Sequence, residues 1–195
     1  MTNYNYNINV RSQRGAMFGL DARLALAIFA GLSVIAGMAV FDVIRETNVS
    51  ALTSEFDNYS KAYTNYTFDT GQDVPTPATP GAGEGIQAFF EDTSPATLNW
   101  NGPYVTRSTA DHPKFGTYTL DTGFIDVAGE DPTSTTGGNI TGAWLALSDV
   151  PCQLAESVDE AIDGEPADNE AGNFRYPTTC ASTGTVYYLL SRQMS

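Results

Sequence analysis

The sequence predicts an α+β protein: a long N-terminal α-helix, with a membrane half and an amphipathic half, packed on a C-terminal antiparallel β-sheet. Three observations lead there. Residues 24–41 (LALAIFAGLSVIAGMAVF) form an 18-residue apolar run in which Ser33 is the only polar side chain. Val49, Leu52, Phe56, Tyr59, Tyr63 and Tyr66 then recur at spacings of 3, 4, 3, 4 and 3, a single apolar stripe on a helix. Beyond residue 85, short apolar stretches alternate with turn signals, the pattern of short strands.

The apolar run is long enough to matter. A hydrocarbon core about 30 Å thick is crossed by roughly 20 apolar helical residues. Counting back from residue 41 to Met17 gives 25 residues, with Asp21 and Arg23 near the start. Charge divides around this stretch. Residues 1–16 carry Arg11 and Arg14 and no acid, whereas residues 42–195 hold 22 acids against 6 bases. Basic flanks stay in the cytoplasm, so the acidic part is expected outside.

The helix continues past the membrane run with a different character. Residues 42–69 present one face to bury, with Glu55, Asp57, Asn58 and Lys61 on other faces. Together the two halves make a helix of about 50 residues, roughly 75 Å long. Its tyrosine-rich stripe reads as core, not as a cofactor box. Residues 70–85 (TGQDVPTPATPGAGEG) are rich in proline and glycine and read as a loop. The head, residues 70–195, then offers strands at 100–107, 116–127, 140–147, 173–176 and 183–191. Within it, residues 149–163 (DVPCQLAESVDEAID) form a short amphipathic helix on Pro151, Leu154, Ala155, Val158 and Ile162.

Composition narrows function. The chain has 195 residues, 42% of them hydrophobic, which suffices for one packed domain and excludes wholesale disorder. Its net charge of −14 repels phosphate backbones, so nucleic acid is not an expected partner. With one histidine, sites that need two are excluded, most zinc enzymes among them. No nucleophile elbow, phosphate loop or zinc-protease motif occurs, and the chain is not expected to be an enzyme. His112 stands in the polar, proline-bearing stretch Ala-Asp-His-Pro-Lys and reads as a surface loop residue. Sequons at Asn48, Asn58, Asn65 and Asn139 are expected by chance in an Asn- and Thr-rich chain.

Three readings compete for the N-terminus. A cleaved secretory signal has an apolar region of about 7–15 residues and a small-residue cleavage site after it. This run is longer and passes directly into a helical pattern. An uncleaved anchor fits the length and charge but gives no reason for an acid at the cytoplasmic mouth. The third reading does. The stretch Arg14-Gly15-Ala16-Met17-Phe18-Gly19-Leu20-Asp21 resembles the processing site of type IV pilins and the pseudopilins of type II secretion.

In that family a short basic leader is cut on the cytoplasmic side, after a small residue, and an acid stands fifth in the mature chain. The resemblance implies a leader at 1–16, a cut between Ala16 and Met17, and Asp21 as the fifth residue. Gly is the family's usual residue before the cut and Glu its usual acid; Gly15 is the other position for the cut. The resemblance further implies a pilin-like fold and processing by a prepilin peptidase with methylation of the new N-terminus. Polymerisation would follow, with Met17 and Asp21 as the assembly residues. Partners implied are further copies of the chain or related subunits, an inner-membrane platform with its assembly machinery, and the lipid bilayer before assembly. The location implied is the inner membrane with the head outside, then a periplasmic or extracellular filament.

A buried carboxylate is costly unless it meets a charge partner. In the family that partner is thought to be the N-terminal amine of a neighbouring subunit, which sets axial register. The plain alternative is an interfacial Asp21 paired with Arg23 or with lipid headgroups. Trp100-Asn101-Gly102-Pro103-Tyr104 is similar to a Trp-x-Gly-Pro-Tyr pattern at the start of the strand region in pseudopilins. The proline common near the middle of the type IV pilin helix is absent, while Gly31 and Gly37 weaken the membrane half.

An exported head meets an oxidising compartment, where Cys152 and Cys180 are expected to form a disulfide. Type IV pilins often carry such a closed segment near the C-terminus. Inside it, the acidic stretch 159–170 (DEAIDGEPADNE) suggests a calcium site from Asp159, Asp163, Glu165 and Asp168. Some pseudopilins hold calcium in a late loop. The spacing matches no EF-hand, and a solvated acidic face is the commoner explanation of such a stretch. No other cofactor is expected. The reading of a different class is a single-pass membrane protein whose exported acidic head binds a ligand or partner without polymerising.

Overall fold

A computed structural model describes residues 14–75, 84–92, 99–125, 140–164, 172–177 and 180–192. The chain divides into two units, residues 1–45 and residues 46–195. Helix α1 (Arg14–Thr70) supplies the described part of the first unit and the opening element of the second.

In the first unit α1 has no polar face. Leu20, Leu24, Phe29, Ile35, Met38 and Phe41 are all more than half exposed. An 18-residue window here has a mean hydropathy of 2.4, and none of it is buried. This is a helix long and apolar enough to cross a membrane.

In the second unit the same helix buries one stripe. Leu52, Phe56, Tyr59, Ala62, Tyr63 and Tyr66 are all buried, and Val49 packs on their edge. The stripe follows the 3-and-4 spacing read from the sequence, because residues three and four apart share a helix face. It packs into one core with Tyr118, Leu120, Leu145, Leu147, Val186 and Leu190.

Those residues belong to a four-stranded antiparallel sheet. Its strands are β1 (Tyr118–Ile125), β2 (Ile140–Pro151), β3 (Phe174–Arg175) and β4 (Thr183–Arg192), in the order β1-β2-β4-β3. Alternation sorts β2 between two faces. Leu145 and Leu147 join the helix-side core, while Trp144 and Ala146 join Tyr187 and Leu189 in a second buried cluster. The predicted α+β arrangement is the one observed.

Several element boundaries differ from expectation. The stretch 100–107 is not a strand. Pro103 has no N–H for a ladder, and the flanking groups bond elsewhere: Trp100 Nε1 donates to Ala88 O at 2.9 Å and Tyr104 N to Phe89 O at 2.9 Å. These bonds seat the Trp100 and Tyr104 rings, 5.8 Å apart, beside the short helix α2 (Glu84–Gln87), which the sequence reading did not anticipate. Strand β2 runs on to Pro151 through a bulge between Leu147 and Val150, where Asp149 takes φ +59°.

Because Val150 and Pro151 still pair with Gly184 and Thr183, helix α3 (Cys152–Asp163) starts three residues later than expected. Leu154, Ala155 and Val158 are its buried face, and Pro151 is exposed at the end of β2. The strand expected at 116–127 begins instead at Tyr118. Gly116 N donates to Ser148 O at 2.9 Å, and Thr117 pairs with Asp111 in an isolated bridge.

Candidate functional site

Two places concentrate chemistry: the start of α1 and a polar node in the head. The side chains of Gly15, Ala16, Met17 and Phe18 lie outside the described residues; their backbone belongs to α1. Asp21 is exposed on α1, beside Leu20 and Leu24 at 74% and 60% exposure. Among the described residues its carboxylate takes part in no hydrogen bond or ion pair, Arg23 included. Residues two apart on a helix point about 200° apart, which is why these two do not meet.

The head node centres on Glu55, at the flank of the buried stripe. Arg107 Nη2 donates to its Oε1 at 2.7 Å. Tyr118 Oη donates to Oε2 at 2.7 Å, and His112 Nε2 lies 3.4 Å from the same oxygen. The Arg107 guanidinium also stands over the Tyr118 ring, 5.9 Å from its centre. Burial, then the bond to Glu55, pushes the Tyr118 hydroxyl far above the ordinary phenol range. Tyr59, buried beside it with ring centres 4.7 Å apart, is raised by burial in the same way. Both Glu55 oxygens are therefore occupied by donors, which suits holding rather than reacting.

His112 is a correction. It is buried, at 8% exposure, and not a surface residue. The polar neighbours that suggested exposure do point outward, but the imidazole turns inward to stack on Phe115, with centres 4.6 Å apart. Burial is the main influence on it and lowers its pKa from the ordinary 6.5.

Cys152 and Cys180 form the expected disulfide, with Cα atoms 5.8 Å apart. The bridge sits where β2 meets β4, beside the bond from Cys152 N to Ser182 O at 3.1 Å. Closing 27 intervening residues is worth roughly 3–4 kcal/mol in the chain-entropy model.

Of the four acids suggested for calcium, Glu165 and Asp168 lie outside the described residues. Asp159 is buried at 1% exposure on α3. Asp163, at the end of α3, accepts from Asn173 N at 2.8 Å and Phe174 N at 2.7 Å, so its carboxylate is engaged in tying α3 to β3. Gly172 takes φ +88°, and any Cβ there would collide with that carboxylate. Among the described residues no group of three or more His, Cys, Asp or Glu is placed to hold a metal.

The Glu55 node escaped the sequence reading. Arg107, His112 and Tyr118 lie 52 to 63 residues from Glu55, and no local spacing signals such a meeting. No protein-family model, curated protein or solved structure matches the chain.

Proposed function

We propose that this chain is a structural subunit of a type IV pilus or type II secretion pseudopilus, processed by a prepilin peptidase and polymerised through its N-terminal helix. The observation that carries the reading is α1 itself. Its first half exposes large apolar side chains all round, and its second half buries a stripe in a folded head. Such a surface is unstable in water and needs lipid or other apolar helices around it. A membrane houses the single subunit, and a bundle of the same half-helices houses it in the filament.

Asp21 supports the filament over a plain anchor. A carboxylate among apolar side chains, without a partner among the described residues, is costly in hydrocarbon. The amine created by cutting before Met17 supplies the opposite charge from a neighbouring subunit. The processing-site resemblance around Gly15 and Ala16 supports a free amine at Met17 of each subunit, four residues before its own Asp21.

Intact-mass measurement on protein purified from membranes tests the reading. The expected chain starts at Met17 and carries one N-methyl group. An N-terminus still at Met1, in cells with an active prepilin peptidase, would favour the single-pass protein whose acidic head binds a partner without polymerising.

A further inference from the structure

We propose that His112 is an acid-sensitive latch: its neutral imidazole closes the 112–116 turn and seats the 107–117 loop on α1, and its protonation releases both. The imidazole Nδ1 accepts two backbone hydrogen bonds, from Lys114 N at 3.0 Å and Phe115 N at 3.1 Å. An atom that accepts from two N–H groups carries no proton. The single ring proton therefore sits on Nε2, which faces Glu55 Oε2 at 3.4 Å. One neutral side chain thus joins its own turn to α1.

A second proton can enter only at Nδ1. There it converts an acceptor into a donor pointing at two other donors, so both turn bonds are lost. The charge balance opposes it as well. Glu55 from α1 and Arg107 from the preceding loop already cancel one another across 2.7 Å. The charged groups whose fields reach His112 are Glu55, which favours the imidazolium, and Arg107 and Lys114, which oppose it.

Tyr118, reaching the ring from β1 with centres 5.8 Å apart, stays neutral at these pH values. Asp111, next in the chain, accepts from Thr117 Oγ1 at 3.1 Å. Glu55 has little capacity left for a new charge, since Arg107 and Tyr118 hold its two oxygens. A proton on buried His112 would leave the part-buried node with an uncompensated positive charge.

Release reaches beyond the turn. His112 N donates to Gly116 O, Gly116 N to Ser148 O, and Tyr118 N to Ala110 O, each at 2.8–2.9 Å. Loosening the loop frees the bonds that fasten it to β1 and β2. The latch does not depend on whether the chain polymerises; it needs only a folded head exposed to a falling pH.

The test uses the full chain in detergent micelles. His112 is the only histidine, so imidazole nitrogen NMR reads it without assignment by mutation. The expected spectrum at neutral pH is that of the Nε2–H tautomer, with a titration midpoint below 6.5. Hydrogen exchange at Lys114, Phe115 and Gly116 N–H, corrected for intrinsic pH dependence, should accelerate about tenfold or more across the same midpoint. His112→Asn keeps a neutral acceptor for the two turn bonds and cannot titrate; it should abolish the acid step. The proposal is overturned by an Nδ1–H tautomer, by a midpoint at or above 6.5, by exchange that ignores the titration, or by an acid step that persists in His112→Asn. If that variant does not fold, the wild-type tautomer, midpoint and exchange decide alone.

Discussion

Tyr118 and Glu55, 63 residues apart in sequence, meet at 2.7 Å, the phenol donating to the carboxylate from a fully buried ring. This contact ties the edge strand β1 to α1 where the helix enters the head. Arg107 takes the other carboxylate oxygen, so a loop, a strand and a helix share one charge.

Removing that charge should weaken the head more than removing any one donor. Glu55→Ala strands Arg107 and leaves the Tyr118 hydroxyl without its acceptor. The node is about a quarter exposed, so water screens part of the loss, and the expected cost is about 2–3 kcal/mol. Tyr118→Phe should cost about 1 kcal/mol, since the ring and the Arg107 pair both remain. Urea denaturation of both single variants and the double variant checks this. Strict additivity would mean that the two residues do not act together.

The disulfide should behave as a tether across the β2–β4 end. Reduction, or Cys152→Ser with Cys180→Ser, should lower stability by roughly 3 kcal/mol, a fall of about 6–12 °C in Tm for a head of this size. The sheet contacts that flank the bridge remain, so the reduced head should still fold at room temperature. Calorimetry with and without reductant reads the shift; equal Tm values would show that the bridge adds nothing.

On the proposed filament reading, Asp21 should separate assembly from folding. Asp21→Ala should leave membrane insertion and the folded head unchanged while filament yield collapses, because each added subunit repeats a loss of about 3–5 kcal/mol. Asp21→Glu should assemble, and Asp21→Asn should resemble Ala. Sheared-filament yield, normalised to membrane-bound protein, is the measurement. Normal yield from the Ala variant would leave Asp21 as a lipid-surface anchor only.

Alkali should unfold the head through its tyrosines. Tyr63, buried and donating to Asp73 Oδ1 at 3.0 Å, is pushed up to about 12, and Tyr59 and Tyr118 are raised as well. Their folded pKa values exceed the unfolded value of 10.0, so the folded state holds more protons above that pH. The tyrosine contribution to stability should be flat below pH 10 and fall as pH rises toward about 12. Denaturation midpoints across this range, compared with Tyr63→Phe, test the sign. A variant that falls as steeply as the wild type would exclude Tyr63 as a contributor.

Gly172 should tolerate no side chain. Gly172→Ala places a methyl group at φ +88° against the Asp163 carboxylate, which bonds the backbone of residues 173 and 174. The expected loss is about 2 kcal/mol or more. Gly164→Ala is the comparison: it shares the positive φ but has open space around it, and should cost less.

What the sequence determined by itself is what short-range periodicity and composition encode. The apolar run at 24–41 and the stripe from Val49 to Tyr66 each repeat within a few residues, so both halves of α1 were legible without any tertiary contact. The strand expected at 183–191 is β4, Thr183–Arg192, because its apolar run is bounded by turn signals. What only the tertiary structure decided are the partners of groups whose local surroundings were neutral or misleading. His112 looked solvated because its sequence neighbours are polar, yet Glu55 and Tyr118 supply it with a buried seat. Residues 100–107 have the aromatic content of a strand, but Trp100 and Tyr104 found their bonds at Ala88 and Phe89. Asp163 read as one of several acids, and the backbone of residues 173 and 174 took its carboxylate. For residues 100–107 and for Asp163, hydrogen bonds to backbone groups ten or more residues away outweighed a local preference worth a few tenths of a kcal/mol, because a buried polar group left unmatched costs about 1–3 kcal/mol.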